Sequence, residues 1–379
     1  MIGVVVLAAV VALIVARPGE DPPPQPAAPA VRIYSSLPVS EGAGLRDLDL
    51  AVRMAVAERA GRAGVHRIEH VPLDSASVEI GIPWEVGRVQ ANARRAAADS
   101  RAVAYLGDIF TGASAISAPL LERAGVLTVS PAAGGGTGSR GLVRVLPGEV
   151  RQGEALLRWM RRLGTRRLVV LEDGEQSGRA IARAVSRGAG RAGIAVVDRA
   201  SLDPHRLATV RRAAKRALAR RADTMLYTGL WQNRGAVTFN RFHRAAPQMR
   251  LMGTELLADR LFTRDLFAGA RRRTRLVTTL VPAPSRFARA FERRTGHAPH
   301  PLAIYGYESA DLVLDTLAEL PTAPPMQIRR ALRNAVASTR GRAGAAGRYS
   351  VGASGGTTLR RVGGLRVTRG GGLRHVGSR

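Results

Sequence analysis

Short apolar runs alternate with longer amphipathic stretches along the chain from Val31 onwards. Residues 31–34 read as a first strand, and apolar side chains then recur at helical spacing at Leu48, Val52 and Ala55. A second strand is predicted at residues 68–73. This alternation of strand-like and helix-like segments predicts parallel sheets covered by helices on both faces.

The alternation continues to the end of the chain and restarts after Pro147-Gly148. Further strands are predicted at residues 142–146, 167–171, 194–197, 224–227, 250–253, 275–281, 348–351, 359–362 and 365–367. Helices are predicted at residues 45–61, 85–98, 112–124, 149–163, 178–192, 207–220, 235–245, 256–268, 285–295, 307–320 and 326–336. A chain of 379 residues is longer than one ordinary domain. We therefore expect two α/β lobes, with ligands beyond the carboxyl ends of the strands, in a cleft between two facing sheets.

Two neighbouring segments carry the clearest candidate chemistry. Residues 105–114 read as a buried strand that breaks at Gly107, a hydroxyl-bearing loop, and a helix that starts near Gly112. Residues 126–133 read as another apolar strand that ends in a turn of small residues. Loop hydroxyls, a helix N-terminus and unpaired backbone N–H groups suit a carboxylate or a phosphate. The sequence therefore predicts an anion site at this edge of the sheet.

Composition removes several classes of protein from consideration. The chain has no cysteine, which excludes a disulfide framework, a thiol nucleophile and a cysteine-ligated zinc. The net charge is +29, yet Lys215 is the only lysine and the arginines are spread over all but one of the predicted helices. Arginine in place of lysine, with abundant alanine and glycine, is typical of a GC-rich genome. Because no nucleic-acid-binding motif accompanies the charge, we expect no nucleic-acid partner.

One basic stretch departs from this even distribution. Twelve arginines and no acidic residue follow Glu319. Such a stretch forms either a solvated basic surface or a contact with an anionic envelope polymer or lipid headgroup.

The first thirty residues read as a targeting segment. Residues 2–16 are an uninterrupted apolar run, and a proline-rich run follows at residues 22–29. Fifteen apolar residues are short for a membrane span of about 20 and suit a signal-peptide core. An uncleaved membrane anchor with a stiff linker is favoured over a processed export signal, and a buried core helix is the remaining alternative. Export or anchoring places the body outside the cytoplasm.

Catalytic and metal motifs are weak. Residues 352–356 fit G-x-S-x-G but lie in a glycine-rich β segment, whereas a nucleophile elbow needs a strand, a turn and a helix. The glycine run at residues 134–138 lacks the lysine of a phosphate-binding loop. His297 and His300 have no further ligand nearby. Glu172-Asp173 follows a strand, and such acids more often line a cleft or cap the next helix than catalyse a reaction. We expect no enzymatic activity, no metal and no cofactor.

From Val31 to about Leu373 the chain resembles the solute-binding proteins of branched-chain amino acid ABC transporters. The resemblance rests on the two segments of the anion site, on Gly253-Thr254-Glu255 after a strand, on Tyr305-Gly306-Tyr307 at a helix start, and on residues 347–351 with their glycine hairpin. It implies the type I periplasmic binding protein fold, which is two Rossmann-like, doubly wound lobes joined by three crossovers.

The crossovers would fall near Pro147, Val281 and Gly344. Lobe I would comprise residues 31–147 and 282–344, lobe II residues 148–281 and 345–379, and residues 1–30 the signal or anchor segment with its linker.

The resemblance also implies a ligand site. The α-carboxylate of an amino acid would be held by the hydroxyl of Thr111 and by the turn from Ala132 to Gly134. The α-ammonium would meet Glu255 on the second lobe. Helix capping is the alternative role for Thr111 and Ser114, and a solvated loop acid is the alternative for Glu255.

Several positions depart from the family pattern. The positions that carry pocket aromatics in the family fall on Ala43, Ser177 and Leu230, none of which is aromatic. Trp231, Phe110 and Trp84 are the candidate substitutes. Gly134 stands where a hydroxyl is usual, and Asp108 adds a carboxylate beside the anion site, which predicts a wider pocket or a more cationic ligand.

The sequence thus predicts an extracytoplasmic protein that captures an amino acid or a related zwitterion or carboxylate for an ABC permease. Two alternatives stay open: a membrane-anchored sensor of the same fold, and a cationic envelope-binding protein without a small-molecule ligand.

Overall fold

The computed structural model describes residues 30–77, 83–133, 141–203 and 206–377, and it divides them between two α/β lobes. Each lobe is built on one mainly parallel sheet with helices on both faces. The predicted fold class is confirmed.

Lobe I is built on a six-stranded sheet of order β2-β3-β1-β4-β5-β6, parallel except for the short β2. The strands are β1 (Val31–Leu37), β2 (Arg62–Ala63), β3 (His66–Asp74), β4 (Ala102–Leu106), β5 (Leu127–Ser130) and β6 (Leu142–Arg144). The helices of this lobe are α1 (Ala43–Glu58), α2 (Val86–Ala98) and α3 (Thr111–Arg123), with the later α10 (Ser285–Thr295), α11 (Ala303–Ala318) and α12 (Pro325–Ala337). All five residues of β4 are buried, as expected for a parallel strand covered on both faces.

Lobe II is built on a seven-stranded sheet of order β15-β14-β11-β10-β9-β7-β8. The strands are β7 (Arg167–Glu172), β8 (Ala195–Ser201), β9 (Thr224–Tyr227), β10 (Arg250–Thr254), β11 (Thr274–Thr278), β14 (Gly363–Val367) and β15 (Leu373–His375), the last two antiparallel. The helices are α4 (Glu149–Arg162), α5 (Gln176–Gly188), α6 (Leu207–Ala219), α7 (Gly235–Ala245), α8 (Arg260–Asp265) and α9 (Ala268–Arg273).

The glycine of the Tyr305-Gly306-Tyr307 motif allows α11 to pack closely on α1. A Cβ atom at Gly306 would lie 2.4 Å from the carbonyl oxygen of Leu48, so no other residue fits without moving one of the two helices. Tyr305 is fully buried, and its hydroxyl donates a hydrogen bond to the carbonyl of Thr279 at 2.6 Å. This bond ties lobe I to the segment that leaves β11.

The chain passes between the lobes three times. The first passage follows β6, and the second covers residues 279–284 between β11 and α10. In the third, Leu359 packs in the core of lobe I and Val362 in that of lobe II, whereas the sequence places this passage near Gly344. The hairpin of β12 (Arg342–Gly344) and β13 (Gly347–Tyr349) stays on lobe I because Tyr349 donates a hydrogen bond to Glu308 on α11 at 2.7 Å.

The helix predicted at residues 256–268 is divided in the structure. A 3-10 turn, Glu255–Leu257, is followed by the two short helices α8 and α9. Asp259 follows the turn and caps α8, since its carboxylate accepts a hydrogen bond from the N–H of Leu261 at 2.6 Å. The prediction of one helix was wrong because a local capping contact competes with the apolar periodicity.

No helix within the described ranges is long and apolar enough to cross a membrane. The predicted signal or anchor segment lies almost entirely outside those ranges, which begin at residue 30.

Candidate functional site

The carboxyl ends of both sheets meet at the junction between the lobes. In lobe I, β4, β5 and β6 are parallel, and the chain leaves the end of β6 for α4 of lobe II. In lobe II, β10 and β11 are parallel, and the chain leaves the end of β11 for α10 of lobe I. The loops that follow these strands therefore lie where a ligand between the lobes would be held.

The loop after β4 is tied down by its own backbone. Gly107 has φ +144°, and a Cβ atom there would lie 2.5 Å from the carbonyl oxygen of Ser36 on β1, so the position requires glycine. The carbonyl of Asp108 accepts hydrogen bonds from the hydroxyls of Ser114 at 2.9 Å and Ser130 at 2.6 Å. Ser114 is fully buried, so its hydroxyl stabilises the loop from the interior of lobe I.

Thr111 is the first residue of α3 and is half-buried. The first turn of a helix carries backbone N–H groups without helical partners, and it is the positive end of the helix dipole. A hydroxyl at this position can add a donor to those groups. The predicted role of Thr111 as a carboxylate ligand stays a prediction that its location supports.

Trp84 is the aromatic residue that the structure brings to this helix start. A Cβ atom at Gly112 would lie 2.9 Å from the Trp84 indole, so the ring packs directly on the glycine. Phe110, the residue before Thr111, packs against the core of lobe I. Of the aromatic substitutes considered from the sequence, Trp84 is the one on the helix start beside Thr111.

The turn after β5 is organised by Ser130. Its hydroxyl accepts hydrogen bonds from the N–H groups of Ala132 at 3.2 Å and Ala133 at 2.8 Å. The same hydroxyl donates to the loop after β4, so the two predicted segments form one unit. Ala132 is half-buried in this turn, whereas Gly134 lies outside the described residues. Their predicted contacts with a ligand stay predictions.

The carboxyl group of Asp108 lies inside lobe I. The residue is 2% exposed, and the hydroxyl of Ser36 on β1 donates to its Oδ1 at 3.0 Å. Its Oδ2 is buried and has no hydrogen-bond partner in the described part of the chain, and the same holds for the hydroxyls of Tyr105 and Ser117. Burial raises the pKa of Asp108 to about 6, against an opposing effect that includes the hydrogen bond from Ser36. The carboxyl group of Asp108 is therefore buried beneath the loop, inside lobe I.

Glu255 follows the carboxyl end of β10, where the hydroxyl of Thr254 accepts a hydrogen bond from the N–H of Leu256 at 3.4 Å. Thr279, after β11, donates a hydrogen bond to Oε1 of Glu255 at 3.3 Å. Oε2 is buried and has no hydrogen-bond partner among the residues that the structure describes. Burial, with a smaller contribution from the charge of Glu149, raises the pKa of Glu255 to about 7 against the hydrogen bonds from its own backbone and from Thr279. A carboxyl group in this state favours a cationic partner.

Asp173 stabilises the loop of lobe II that contacts the turn of Glu255. Its Oδ2 accepts hydrogen bonds from the N–H of Leu230 at 2.8 Å and the amide of Asn233 at 2.8 Å. The N–H of Trp231 donates to the carbonyl of Leu256 at 3.1 Å, which joins this loop to the turn of Glu255. Asp173 therefore holds this loop in place, and its role as an acid that lines a cleft stays a prediction.

Ser177 is half-buried in the first turn of α5, while Trp231 is half-buried and packs against the core of lobe II. Ala43 is the first residue of α1. The structure thus brings Leu230, Trp231 and Glu255 onto one loop cluster, with Ser177 at a helix start on the same edge of the sheet.

Sequence reasoning missed Thr279 and the network around Asp173. Thr279 could have been found from the sequence, because Thr278-Thr279 stands at the end of an apolar strand. The neighbouring strand β10 is parallel to it, so a hydroxyl there lies at the same edge of the sheet as Glu255. The bonds to Asp173 come from residues more than 50 positions away, and no local pattern records them.

A sequence profile of the periplasmic binding proteins matches residues 42–371, which is most of the chain. The chain belongs to the periplasmic binding protein family. Members of this family bind solutes and are not enzymes, and membership implies a location outside the cytoplasm.

Solved structures of this family share the fold. An ABC transporter substrate-binding protein from Desulfitobacterium hafniense, in complex with Leu, has a TM-score of 0.73 at 18% identity, over 92% of this chain and 100% of that one. The leucine-binding protein LivK from Thermotoga maritima has a TM-score of 0.68 at 19% identity, over 92% and 98%. The branched-chain amino acid transporter substrate-binding protein LivJ from Streptococcus pneumoniae, in complex with isoleucine, has a TM-score of 0.66 at 17% identity, over 92% and 100%. No curated protein matches the sequence significantly.

The G-x-S-x-G segment of this periplasmic binding protein is a tight turn. The N–H of Gly355 donates to the carbonyl of Gly352 at 2.9 Å, and the N–H of Gly352 donates to the carbonyl of Gly356 at 2.9 Å. No helix follows Ser354 before β14, so the strand, turn and helix of a nucleophile elbow are not formed. Within the described ranges, no group of three or more potential metal-binding side chains lies together.

Proposed function

We propose that the protein captures a zwitterionic ligand of the amino-acid type between its lobes and presents it to an ABC permease. The buried and unpartnered Oε2 of Glu255 carries the proposal, because an ionised carboxylate with no partner is destabilising until a cation reaches it. An α-ammonium group supplies that cation. The N-terminus of α3, with Thr111, offers the complementary site for the α-carboxylate.

Binding both ends of the ligand would favour closure of the lobes. The anion site belongs to lobe I and Glu255 to lobe II, so a ligand that engages both adds contacts that the open state lacks. The bond from Tyr305 to the carbonyl of Thr279 and that from Thr279 to Glu255 place the acid next to the second passage, where hinge motion has its smallest displacement.

The ligand side chain would meet a wall unlike that of the branched-chain relatives. Trp84 packs on Gly112 beside the anion site, while Leu230 and Ser177 stand where the family has aromatic rings. The buried position of Asp108 removes the direct contact that would have favoured a cationic side chain. Leucine and isoleucine are the first ligands to test because relatives bind them. Larger amino acids follow because the aromatic rings of the family are missing here.

A thermal-shift screen across the amino acids tests this proposal. At least one zwitterion is expected to raise the melting temperature, and Glu255→Gln is expected to weaken its binding by at least about tenfold, since a charge-assisted hydrogen bond is lost. Glu292→Gln, an exposed acid on α10, is the matched control. Unchanged affinity in Glu255→Gln would remove Glu255 from the site.

Transport and sensing are separated by a different assay. Uptake of the identified ligand into cells is expected to fall when the protein is deleted and to return when it is restored. Loss of a ligand-dependent response without loss of uptake would favour the anchored sensor instead.

A further inference from the structure

A group of arginines converges on lobe II at the end of the sheet opposite to Glu255. We call this group the arginine face, and its members are Arg250, Arg272, Arg273, Arg275, Arg366 and Arg374. Arg250 is the first residue of β10 and Glu255 follows its last, which separates them by about 16 Å along the strand. The arginine face is therefore distinct from the cleft.

Three of these arginines lie side by side across neighbouring strands. Arg275 on β11 is directly opposite Arg366 on β14, and Arg366 is directly opposite Arg374 on β15. Directly opposed residues of an antiparallel pair share one face of the sheet, and like charges in such pairs are destabilising. Two successive arginine pairs in register therefore favour an anion between them.

The packing of α4 shows which face carries the arginines. A Cβ atom at Gly364 would lie 1.5 Å from the Trp159 indole of α4, so this glycine faces the helix. Arg366 is two residues further along β14 and lies on the same face. Helix α4 ends at Arg162, so the positions of Arg366 and Arg374 are exposed beyond its end.

A depression of about 340 Å³ adjoins this row. It is lined by Leu163, Arg250, Arg272, Arg273 and Arg275. Four arginines thus line one small depression. A guanidinium group offers N–H donors in the planar geometry that suits phosphate oxygens.

Little acidic charge neutralises this region. In the described part of the chain, the one ion pair of the group joins Arg250 to Asp223 at 3.8 Å, and Oδ2 of Asp223 already accepts the N–H groups of Arg166 and Arg167. Arg275 donates only to backbone carbonyls, and burial, followed by the charges of Arg366 and Arg273, lowers its pKa.

Other arginines of the chain are paired far better. Arg342 bonds to Glu308, Asp311 and Asp315 at 2.7–2.9 Å. The basic composition alone therefore does not explain a cluster that lacks counter-charges.

We propose that the arginine face binds a compact multivalent phosphate anion, of the size of pyrophosphate or triphosphate. The converging donors and the small volume fit a compact anion, and the row of Arg275, Arg366 and Arg374 extends the site for a second phosphate group. Such binding is independent of the ligand cleft.

Calorimetric titration of the full chain with inorganic triphosphate tests the proposal. The double variant Arg275→Gln/Arg366→Gln is expected to bind at least about tenfold more weakly than the wild type. The control Arg289→Gln/Arg294→Gln removes the same charge from exposed positions on lobe I, and its affinity is expected to stay within about twofold. Arg366→Lys keeps the charge and is expected to weaken binding, because lysine lacks the planar fork.

Three results would overturn the proposal. The first is equal binding of triphosphate by both double variants, which would assign binding to net charge. The second is no binding of triphosphate, and the third is binding of vesicles with anionic phospholipid but not of triphosphate. If the double variant does not fold, Arg374→Gln alone is used, since it is exposed at the end of the row and its loss is expected to weaken triphosphate binding severalfold.

Discussion

Replacing Asp108 by asparagine removes a carboxyl group that is 2% exposed and that one hydroxyl, from Ser36, supports at 3.0 Å. Burial raises the pKa of this carboxyl to about 6 from its ordinary 3.8. One pKa unit corresponds to about 1.4 kcal/mol, so the ionised carboxylate destabilises the folded chain by about 3 kcal/mol above pH 6. Asparagine has no such charge at any pH.

The direction of the pH effect on stability follows from proton uptake by Asp108 on folding. Between pH 6 and pH 3.8 the folded state holds the Asp108 proton while the unfolded chain has released it. Folding then takes up a proton, so the contribution of Asp108 to stability rises as the pH falls through this window. At pH 4.5 the wild type is expected to gain about 2 kcal/mol relative to Asp108→Asn, compared with pH 8.

Urea unfolding of both proteins at pH 8 and pH 4.5, without ligand, measures this difference. Glu255 also has a raised pKa, but it is present in both proteins and its contribution cancels in the comparison. A stability difference between wild type and Asp108→Asn that is the same at both pH values would refute the reasoning.

Two further predictions concern packing within lobe I. Glu308→Gln is expected to destabilise the fold by about 3 kcal/mol. Glu308 is fully buried, and its Oε1 accepts a hydrogen bond from the guanidinium group of Arg342 at 2.9 Å. Chemical denaturation measures the loss of unfolding free energy. Gly112→Ala is expected to displace the Trp84 indole, which lies 2.9 Å from the new Cβ atom, and so to shift the tryptophan fluorescence and weaken ligand binding.

Each of these variants has a matched control. Asp315→Asn removes a more exposed acid from the same network and is expected to cost less than about 1 kcal/mol. Gly190→Ala adds a methyl group where no atom lies within 4 Å and is expected to leave the fluorescence unchanged. Equal losses of unfolding free energy in Glu308→Gln and Asp315→Asn would contradict the burial described for Glu308. An unshifted fluorescence spectrum in Gly112→Ala would contradict the contact with Trp84.

The order of strands and helices could be predicted because each buried strand and amphipathic helix records its period locally. The helix predicted at residues 285–295 has the observed bounds. Strand β15 was missed because its three residues, Leu373 to His375, are stabilised by pairing with β14 and not by their own sequence. Pairing partners distant in sequence leave no periodic signal.

The candidate site was predictable only in part. A hydroxyl at a helix start and an acid after a strand are visible in the sequence, and the structure places Thr111 and Glu255 at such positions. The inward direction of Asp108 was not visible, because it depends on Ser36 on a strand 72 residues away. The packing of Trp84 on Gly112 also depends on tertiary contact alone.

The central claim is that one ligand must present an ammonium group to Glu255 and a carboxylate to the N-terminus of α3. Calorimetric titration of the wild type with the amino acid that gives the largest thermal shift, and with its N-acetyl derivative, tests this most directly. The proposal predicts that acetylation, which removes the ammonium charge, abolishes measurable binding. Equal affinity for the free and the N-acetylated amino acid would contradict it.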